Sequence, residues 1–335
     1  MPHGIETRLI ETVTPVVREL VTRQARALAD LHYADVRLEV SEGKFAGAEN
    51  GEAKTSGDDY AFALGIRVLA GRRMTAPGYF GRGLGAADVP HLARLLREGL
   101  LAAYRRAMAN AEMKADVKGK FGALGDALTD TRLHPIAVRQ EVVPAVFEVD
   151  PRGVALDDMR RLTTEVSRRV AGVHASVSYN YISTMTQLSR ELFASSEGAV
   201  IDQSFALTQG MCYVVATGSD NSQEIYDVLG HQRGWEILTR GVAEPLIEFP
   251  PFPEFALALA GDAVELAAAP ALVAPDGEMP VVTDPHYNTL LSHEIVGTRW
   301  SWTAGSRWRP RTPAAPGCCA ASTTPSSASA SPPRW

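Results

Sequence analysis

The 335-residue chain has few cysteines and no excess of basic residues. Its three cysteines are Cys212 and the adjacent pair Cys318 and Cys319. They cannot form a disulfide framework, because neighbouring cysteines seldom bridge each other without strain, and this fits a reducing compartment. The formal net charge of −6 opposes attraction to phosphate backbones, which requires clustered Lys and Arg. We therefore expect no nucleic-acid partner.

The sequence also lacks an apolar run long enough for a membrane helix. The most apolar stretch, residues 255–274, is interrupted by Asp262 and Glu265, whereas a span needs about 20 apolar residues. The first residues carry Glu6 and Glu11 and no apolar segment typical of a signal peptide. These absences predict a cytoplasmic protein that does not enter membranes.

Acidic residues disappear after Glu294, although the chain contains 39 of them. The last 41 residues have no Asp or Glu but hold four of the five tryptophans. A genuine disordered tail is one explanation, but such tails are poor in aromatic residues. A frameshift is the other: with GC-rich codons, a one-base shift turns TRWSWT into HPVELD. We favour a frameshift after Gly297, which makes residues 298–335 an aberrant, disordered tail.

Hydrophobic periodicity predicts an α+β protein that begins with a helix packed on an antiparallel sheet. Residues 5–31 have helical apolar spacing that Pro15 could loosen, and residues 34–43 and 60–80 have strand-like patterns around an Asn-Gly turn. A second helix is expected from Asp88 to about Met113. A less periodic, glycine-containing stretch at 114–150 favours a domain boundary or a covering loop. The first predicted domain spans residues 1–121.

The next predicted domain, residues 122–243, is an antiparallel β-meander preceded by a helix at 156–170. The strand-like runs are HASVSYNYIS, TQLSRELFASS, AVIDQSFALTQGMCYVVATG and a stretch around HQRGWEIL. Short turns join successive runs, and such connections are typical of antiparallel pairing.

Residues 244–297 are predicted to begin a third, incomplete domain with a metal site. We expect a helix at 255–269 and a short buried strand, Pro280–Thr283. Asp284 followed by Pro285 is a typical helix start, with an acidic N-cap and proline at the first helical position, so the helix should continue to residue 297. His286 is interpreted as a surface residue near this cap.

His293 and Glu294 are the candidate site residues within that helix. The frameshift would place a histidine where Thr298 stands and complete an H-E-x-x-x-H motif. Histidines five residues apart lie about 140° apart on a regular α-helix, too far round to share one metal ion. We therefore predict a π-bulge or a break at Gly297, because one extra residue per turn returns position i+5 to the same face. The alternative is an ordinary solvated His-Glu pair.

Several segments resemble the TldD/PmbA family of cytoplasmic metallopeptidases. They are ENGEAK with FALGIRVLAGRR, FASSEGAVIDQ, GHQRGWEIL and AVELAAAPALVAPDGEMPVVTDPHYNTLLSHEIVG, the last being the most specific. The resemblance implies a zinc peptidase for small or unfolded peptides, working with a TldE/PmbA-like subunit or by self-association. It makes His293 a zinc ligand and Glu294 the catalytic glutamate.

The sequence departs from that family at the remaining ligands. Thr298 replaces the second histidine, and a further ligand, a cysteine from the C-terminal region in the family, has no counterpart here. Cys318 and Cys319 do not match that cysteine. Because catalytic zinc usually needs three protein ligands, we expect the chain as written to be inactive or nearly so. The alternative is a non-catalytic, TldE-like partner or a binding remnant.

Other chemistry-bearing motifs favour ordinary structural roles. PGYFGRGLG at 77–85 lacks the spacing of a phosphate loop and is interpreted as a loop that enters a helix. The arginine-rich segment 159–169 is interpreted as a solvated helix face. Cys212 lies in an apolar strand and is predicted to be a core residue rather than a nucleophile.

Overall fold

The computed structural model describes residues 6–129, 137–219, 221–245, 247–270, 272–273 and 276–297, with only the backbone given for 121–129. The chain divides into two compact units, Met1–Ala271 and Leu272–Trp335. The described residues contain both helices and a mixed sheet, which confirms the α+β class. The domain boundaries proposed near residues 121, 243 and 297 stay predictions.

The chain begins with the predicted amphipathic helix, α1, Leu9–Glu19. It continues as a π-helical segment, Leu20–Gln24, and a 3₁₀ turn, Ala25–Ala27. Pro15 does not break α1, and the geometry changes only from Leu20 onward. The remaining helices are α2, Leu92–Thr129, α3, Leu156–Ala171, α4, Glu236–Arg240, α5, Phe252–Ala268, and α6, Pro285–Ser292.

The strands in the described residues are β1, Leu31–Glu49, β2, Glu52–Ala70, β3, Ala76–Gly83, β4, Gln140–Val143, β5, Val177–Ser195, β6, Val200–Thr217, β7, Ser222–His231, β8, Val242–Glu244, and β9, Ile247–Phe249. The first seven form one sheet, in the order β3-β2-β1-β5-β6-β4, with β7 also paired to β6. All neighbouring pairs are antiparallel except β4, which runs parallel to β6. A separate hairpin joins β8 and β9.

Cross-strand register places even-numbered residues of β1, β2, β5 and β6 on one face of the sheet. Val36 lies opposite both Ile66 and Ala194, and Ile182 lies opposite Cys212. These side chains pack against the helices in two clusters, one with α1 and α2 and one with α3 and α5. The odd-numbered side chains point the other way, onto what we call the open face.

The predicted Asn-Gly turn joins β1 to β2 and is locked onto β5. Asn50 and Gly51 have φ values of 48° and 83°. The Asn50 side-chain oxygen accepts a hydrogen bond from the backbone N–H of Asn180 at 2.9 Å, and the Gly51 N–H donates to Ser167 Oγ at 2.8 Å. The turn therefore anchors α3 and β5 to the end of the first hairpin.

Two predicted elements of the middle region are different in the structure. The runs HASVSYNYIS and TQLSRELFASS form the single strand β5, because Thr184 and Thr186 keep the buried alternation between them. Thr186 achieves this through a hydrogen bond of 2.6 Å to Thr208. The strand predicted around HQRGWEIL is wrong beyond His231, where a turn leads into α4.

Two further expectations are wrong. Helix α2 does not stop near Met113 but continues to Thr129, through Gly119, in a stretch rich in the good helix formers Ala and Lys. Pro280–Thr283 forms no strand, and Val282 is 98% exposed. The segment is apolar enough for a buried strand, but it has no paired neighbour among the described residues of its unit.

Glu236 fixes the connection between β7 and α4. Its carboxylate accepts hydrogen bonds from the backbone N–H groups of Gly234 at 3.0 Å, Val149 at 2.9 Å and Glu148 at 3.2 Å. Burial of the carboxylate raises its pKa, but the backbone donors outweigh burial and hold the pKa of Glu236 below its ordinary value. The carboxylate of Glu236 thus accepts hydrogen bonds from backbone N–H groups of two loops, which lie outside the strands.

The close approach of β3 to α2 predicts a glycine requirement at Gly78. A Cβ there would lie 2.0 Å from the Ala103 carbonyl oxygen and 2.4 Å from the Ala107 nitrogen, both backbone atoms. We expect Gly78→Ala to lower the free energy of unfolding by at least about 2 kcal/mol, because the helix must move away. Gly83→Ala on the same strand is the control, since its Cβ meets nothing within 4 Å. Equal urea midpoints for the two variants would contradict this packing.

The buried carboxylate predicts a pH-dependent contribution to stability. The folded pKa of Glu236 lies below the ordinary 4.5, so its stabilisation is complete at neutral pH and is lost as the pH falls through the folded pKa. We expect Glu236→Gln to cost about 1–3 kcal/mol near neutral pH and progressively less in acid. Urea unfolding at several pH values measures this difference. The exposed Glu248→Gln is the control, and a Glu236→Gln deficit that does not shrink in acid would refute the assignment.

Candidate functional site

The helix that carries His293 begins as predicted. The Asp284 carboxylate accepts a hydrogen bond of 2.7 Å from the Tyr287 N–H, and Pro285 takes the first helical position. An acidic N-cap satisfies an otherwise unpaired backbone donor and complements the helix dipole. α6 therefore has a defined start, which fixes where the following residues fall on its surface.

His293 and Glu294 lie in a π-helical turn, His293–Gly297, that follows α6 directly. This confirms the predicted departure from regular α-helix. In such a turn one additional residue per turn carries position i+5 round to the face of position i. The backbone is therefore suited to two ligands five residues apart. Thr298, Cys318, Cys319 and the predicted tail 298–335 lie outside the described residues.

The described part of this helix is almost entirely exposed. His293, Glu294 and His286 are all on the surface. Large apolar side chains of the same helix are exposed as well, including Leu290 at 57% and Ile295 at 55%. Exposed apolar side chains on one short helix form a surface on which other protein groups can pack.

The residues present do not fit a zinc site. Among the described residues, no group of three or more His, Cys, Asp or Glu side chains is close enough to hold a metal ion. His293 supplies one imidazole and Glu294 one carboxylate, whereas catalytic zinc usually has three protein ligands. No catalytic step through a metal can be derived from these two residues alone.

Cys212 and the arginine-rich segment have the expected structural roles, whereas the interpretation of PGYFGRGLG as a loop is wrong. Ala76–Gly83 is strand β3, because it pairs along its whole length with β2. Cys212 is fully buried against α5, and burial, then the charge of Asp227, raises the pKa of its thiol to about 12. The loop that follows β3 enters a 3₁₀ turn, Ala86–His91, through a capping interaction of Asp88 with the Gly85 N–H. Arg160 on α3 pairs with Asp157 at the surface. None of these groups offers a reactive site.

A second candidate site lies on the open face and was missed by sequence reasoning. A cavity of about 450 Å³ opens there, which we call the open-face cavity. The charged lining of this cavity is unusual for the middle of a sheet. The sequence signals the cavity only by the alternating charges in ADVRLEV, a pattern that is common on solvated strand faces. The lining residues are Asp35, Arg37, Glu39, Ala63, Leu64, Gly65, Arg67 and Tyr79.

One ion pair in this cavity joins a buried carboxylate to an exposed guanidinium. Arg67 contacts Asp35 Oδ2 through Nη2 at 2.6 Å and Nε at 2.7 Å. Asp35 is only 3% exposed. Tyr33 lies beside the pair, and burial, followed by the charge of Asp35, raises the pKa of its hydroxyl to about 12. Tyr33 is therefore neutral at physiological pH and cannot act as a phenolate there.

The described helices include none that is long and apolar enough to cross a membrane. A comparison with curated proteins gave no match.

Solved structures give matches at low sequence identity. TldE from Thermococcus kodakarensis is 10% identical, with 78% of this chain and 47% of that chain covered and a TM-score of 0.45. A candidate modulator of DNA gyrase from Bacteroides thetaiotaomicron is 8% identical, with 78% and 49% covered and a TM-score of 0.48. A similarly described protein from Thermotoga maritima is 10% identical, with 78% and 46% covered and a TM-score of 0.43. The chain thus spans about half the length of the solved chains it matches.

A family comparison identifies part of the first unit. Residues 34–111 match the model described as PmbA/TldA metallopeptidase domain 1. The match begins in β1, passes through β2 and β3 and ends within α2, so it covers the first hairpin and the helix that packs on it. The resemblance inferred from ENGEAK and FALGIRVLAGRR falls in this segment. Residues 34–111 are thus similar to the first domain of the PmbA/TldA metallopeptidases.

Proposed function

We propose that the gene encodes a TldD-type zinc peptidase that acts on small or unfolded peptides in the cytoplasm, and that the chain as written is inactive. The observation that carries the proposal is the π-helical turn at His293–Gly297, at the place where an H-E-x-x-x-H motif requires one. The family match in residues 34–111 supports the peptidase class.

In this proposal each site residue has a defined role. His293 would be one zinc ligand, and Glu294 would accept a proton from the attacking water as general base. Zinc, when bound, would lower the pKa of that water and polarise the peptide carbonyl. The frameshift after Gly297 removes the second histidine, and with it the ligand set.

A non-catalytic role is the second candidate function. If the DNA encodes Thr298 in frame, the chain would be a TldE-like subunit or a binding remnant that contacts a partner. The exposed apolar side chains of α6 and the π turn favour some partner for this helix, either a TldE/PmbA-like subunit or another copy. The nucleotide sequence across codons 296–300 separates the two candidates.

The peptidase proposal predicts a gain of function on restoring the frame. We expect a one-base correction before codon 298 to give a chain that binds one zinc ion and cleaves an unfolded peptide, measured by metal analysis and by peptide fragments. In the corrected chain, Glu294→Gln should retain zinc but lose at least about 100-fold in cleavage rate, because the general base is missing. His293→Ala should lose zinc as well.

The uncorrected 335-residue chain is the control and should do neither. Zinc-dependent cleavage by that chain would overturn the inactivity proposal. A corrected chain that folds but does not bind zinc would overturn the peptidase proposal and leave the binding role.

A further inference from the structure

The open-face cavity has two charged side chains that no described protein group neutralises. Of the four charged residues in its lining, Asp35 and Arg67 pair with each other. The side chains of Arg37 and Glu39 form no ion pair and no hydrogen bond with the described residues, although both line the cavity. One positive and one negative group are therefore left for a ligand.

Arg37 is oriented by an aromatic ring. Its guanidinium carbon lies 5.4 Å from the centre of the Phe193 ring on β5. A cation–π contact uses the charge of the guanidinium and leaves its N–H donors without a conventional hydrogen-bond acceptor. These donors match the two oxygens of a carboxylate. Arg37 thus marks the position of a carboxylate.

Glu39 has a like charge as its cross-strand neighbour. It lies directly opposite Glu191 on the open face. Like charges directly opposite on neighbouring strands are destabilising, and an ammonium group between them would remove the repulsion. Gln203 donates a hydrogen bond of 3.0 Å to Glu191 but does not change the charge of the pair. Glu39 thus marks the position of an ammonium group.

The floor of the cavity is open on the Glu39 side. Gly65 lies opposite Arg37, and Ala63 lies opposite Glu39. Beyond them on β3 are Gly81 and Gly83. The ring of Tyr79 covers Gly65 and Gly81, because a Cβ on either glycine would lie 2.7–3.0 Å from its atoms, whereas a Cβ on Gly83 would meet nothing within 4 Å. The cavity therefore has an aromatic floor beside Arg37 and an uncovered floor beside Glu39.

The positions of the two charged residues limit the length of the ligand. Arg37 and Glu39 are two residues apart on one face of β1, so their backbone positions are about 6.6–6.8 Å apart. A ligand that contacts both side chains must therefore carry its two charges several bonds apart. The cavity volume of about 450 Å³ is within the usual range for small-molecule sites. We propose that the open-face cavity binds a short zwitterion, with its carboxylate on Arg37 and its ammonium group on Glu39.

Two ligand sources share this chemistry, a dipeptide and a linear ω-amino acid. Titration of the full-length chain, followed by NMR or calorimetry, with glycylglycine and 5-aminopentanoate distinguishes them. Binding of both, or of either one alone, supports the proposal and names the source. Acetyl-glycylglycine lacks the ammonium group and glycylglycine amide lacks the carboxylate, so each should bind at least tenfold more weakly than glycylglycine. Glycine, whose charges are too close together, should also bind at least tenfold more weakly.

Variants test the same assignment from the protein side. Arg37→Gln and Glu39→Gln should each weaken binding at least tenfold and still fold. The urea midpoint should stay close to that of the parent chain for Arg37→Gln, whose side chain is exposed, and should be equal or higher for Glu39→Gln, which removes the repulsion from Glu191. The control variants are Arg94→Gln and Glu98→Gln, an exposed ion pair on α2, and they should bind normally. The proposal is overturned if neither zwitterion binds at about 10 mM. It is also overturned if acetyl-glycylglycine or glycylglycine amide binds as tightly as glycylglycine, or if the two cavity variants bind the zwitterions as tightly as the parent chain does. The outcome is independent of the peptidase proposal, which concerns the second unit.

Discussion

Cross-strand register is the constraint on which the main sheet depends, because it separates a face for helices from a face for solvent. The side chain period of a strand is two, so a slip by one residue would move the whole apolar set to the wrong face. Pairs such as Val36 with Ala194 and Ile182 with Cys212 keep the same parity across strands that are distant in sequence. One face of the sheet can therefore pack against four helices, in two apolar clusters.

The same register produces the open face and accounts for its aromatic and glycine residues. Where none of the described helices covers a sheet, side chains from neighbouring strands shield the backbone. Tyr79 lies over Gly65 and Gly81, Phe45 over Gly57, and Tyr181 over Gly47. These rings occupy the space that the glycines leave on the open face, and charged groups from β1 and β2 meet beside the ring of Tyr79. The open-face cavity is a product of this arrangement rather than of any one loop.

Local features were predictable from the sequence because their causes are local. The spacing of apolar residues predicts α1, the Asn-Gly pair predicts the tight turn, and Asp284-Pro285 predicts the start of α6. The pairing of β1 with β5 could not be predicted, because periodicity shows that a strand has two faces but not which strand lies beside it. The role of Glu236 was missed for the same reason, since two of its three donors come from residues 148 and 149.

Apolar composition also cannot reveal whether a partner is present. Val281 and Val282 look like a buried strand, yet they are exposed in the described part of the second unit. The same holds for Leu290, Leu291 and Ile295, whose exposure would cost roughly 25 cal/mol for each Å² of apolar surface left in water. A solvated His-Glu pair needs neither this apolar surface nor a π turn, and π turns occur frequently at functional sites. The exposed apolar side chains and the π turn thus distinguish the segment around His293 from an ordinary solvated helix. The change in composition begins directly after Glu294, within this turn.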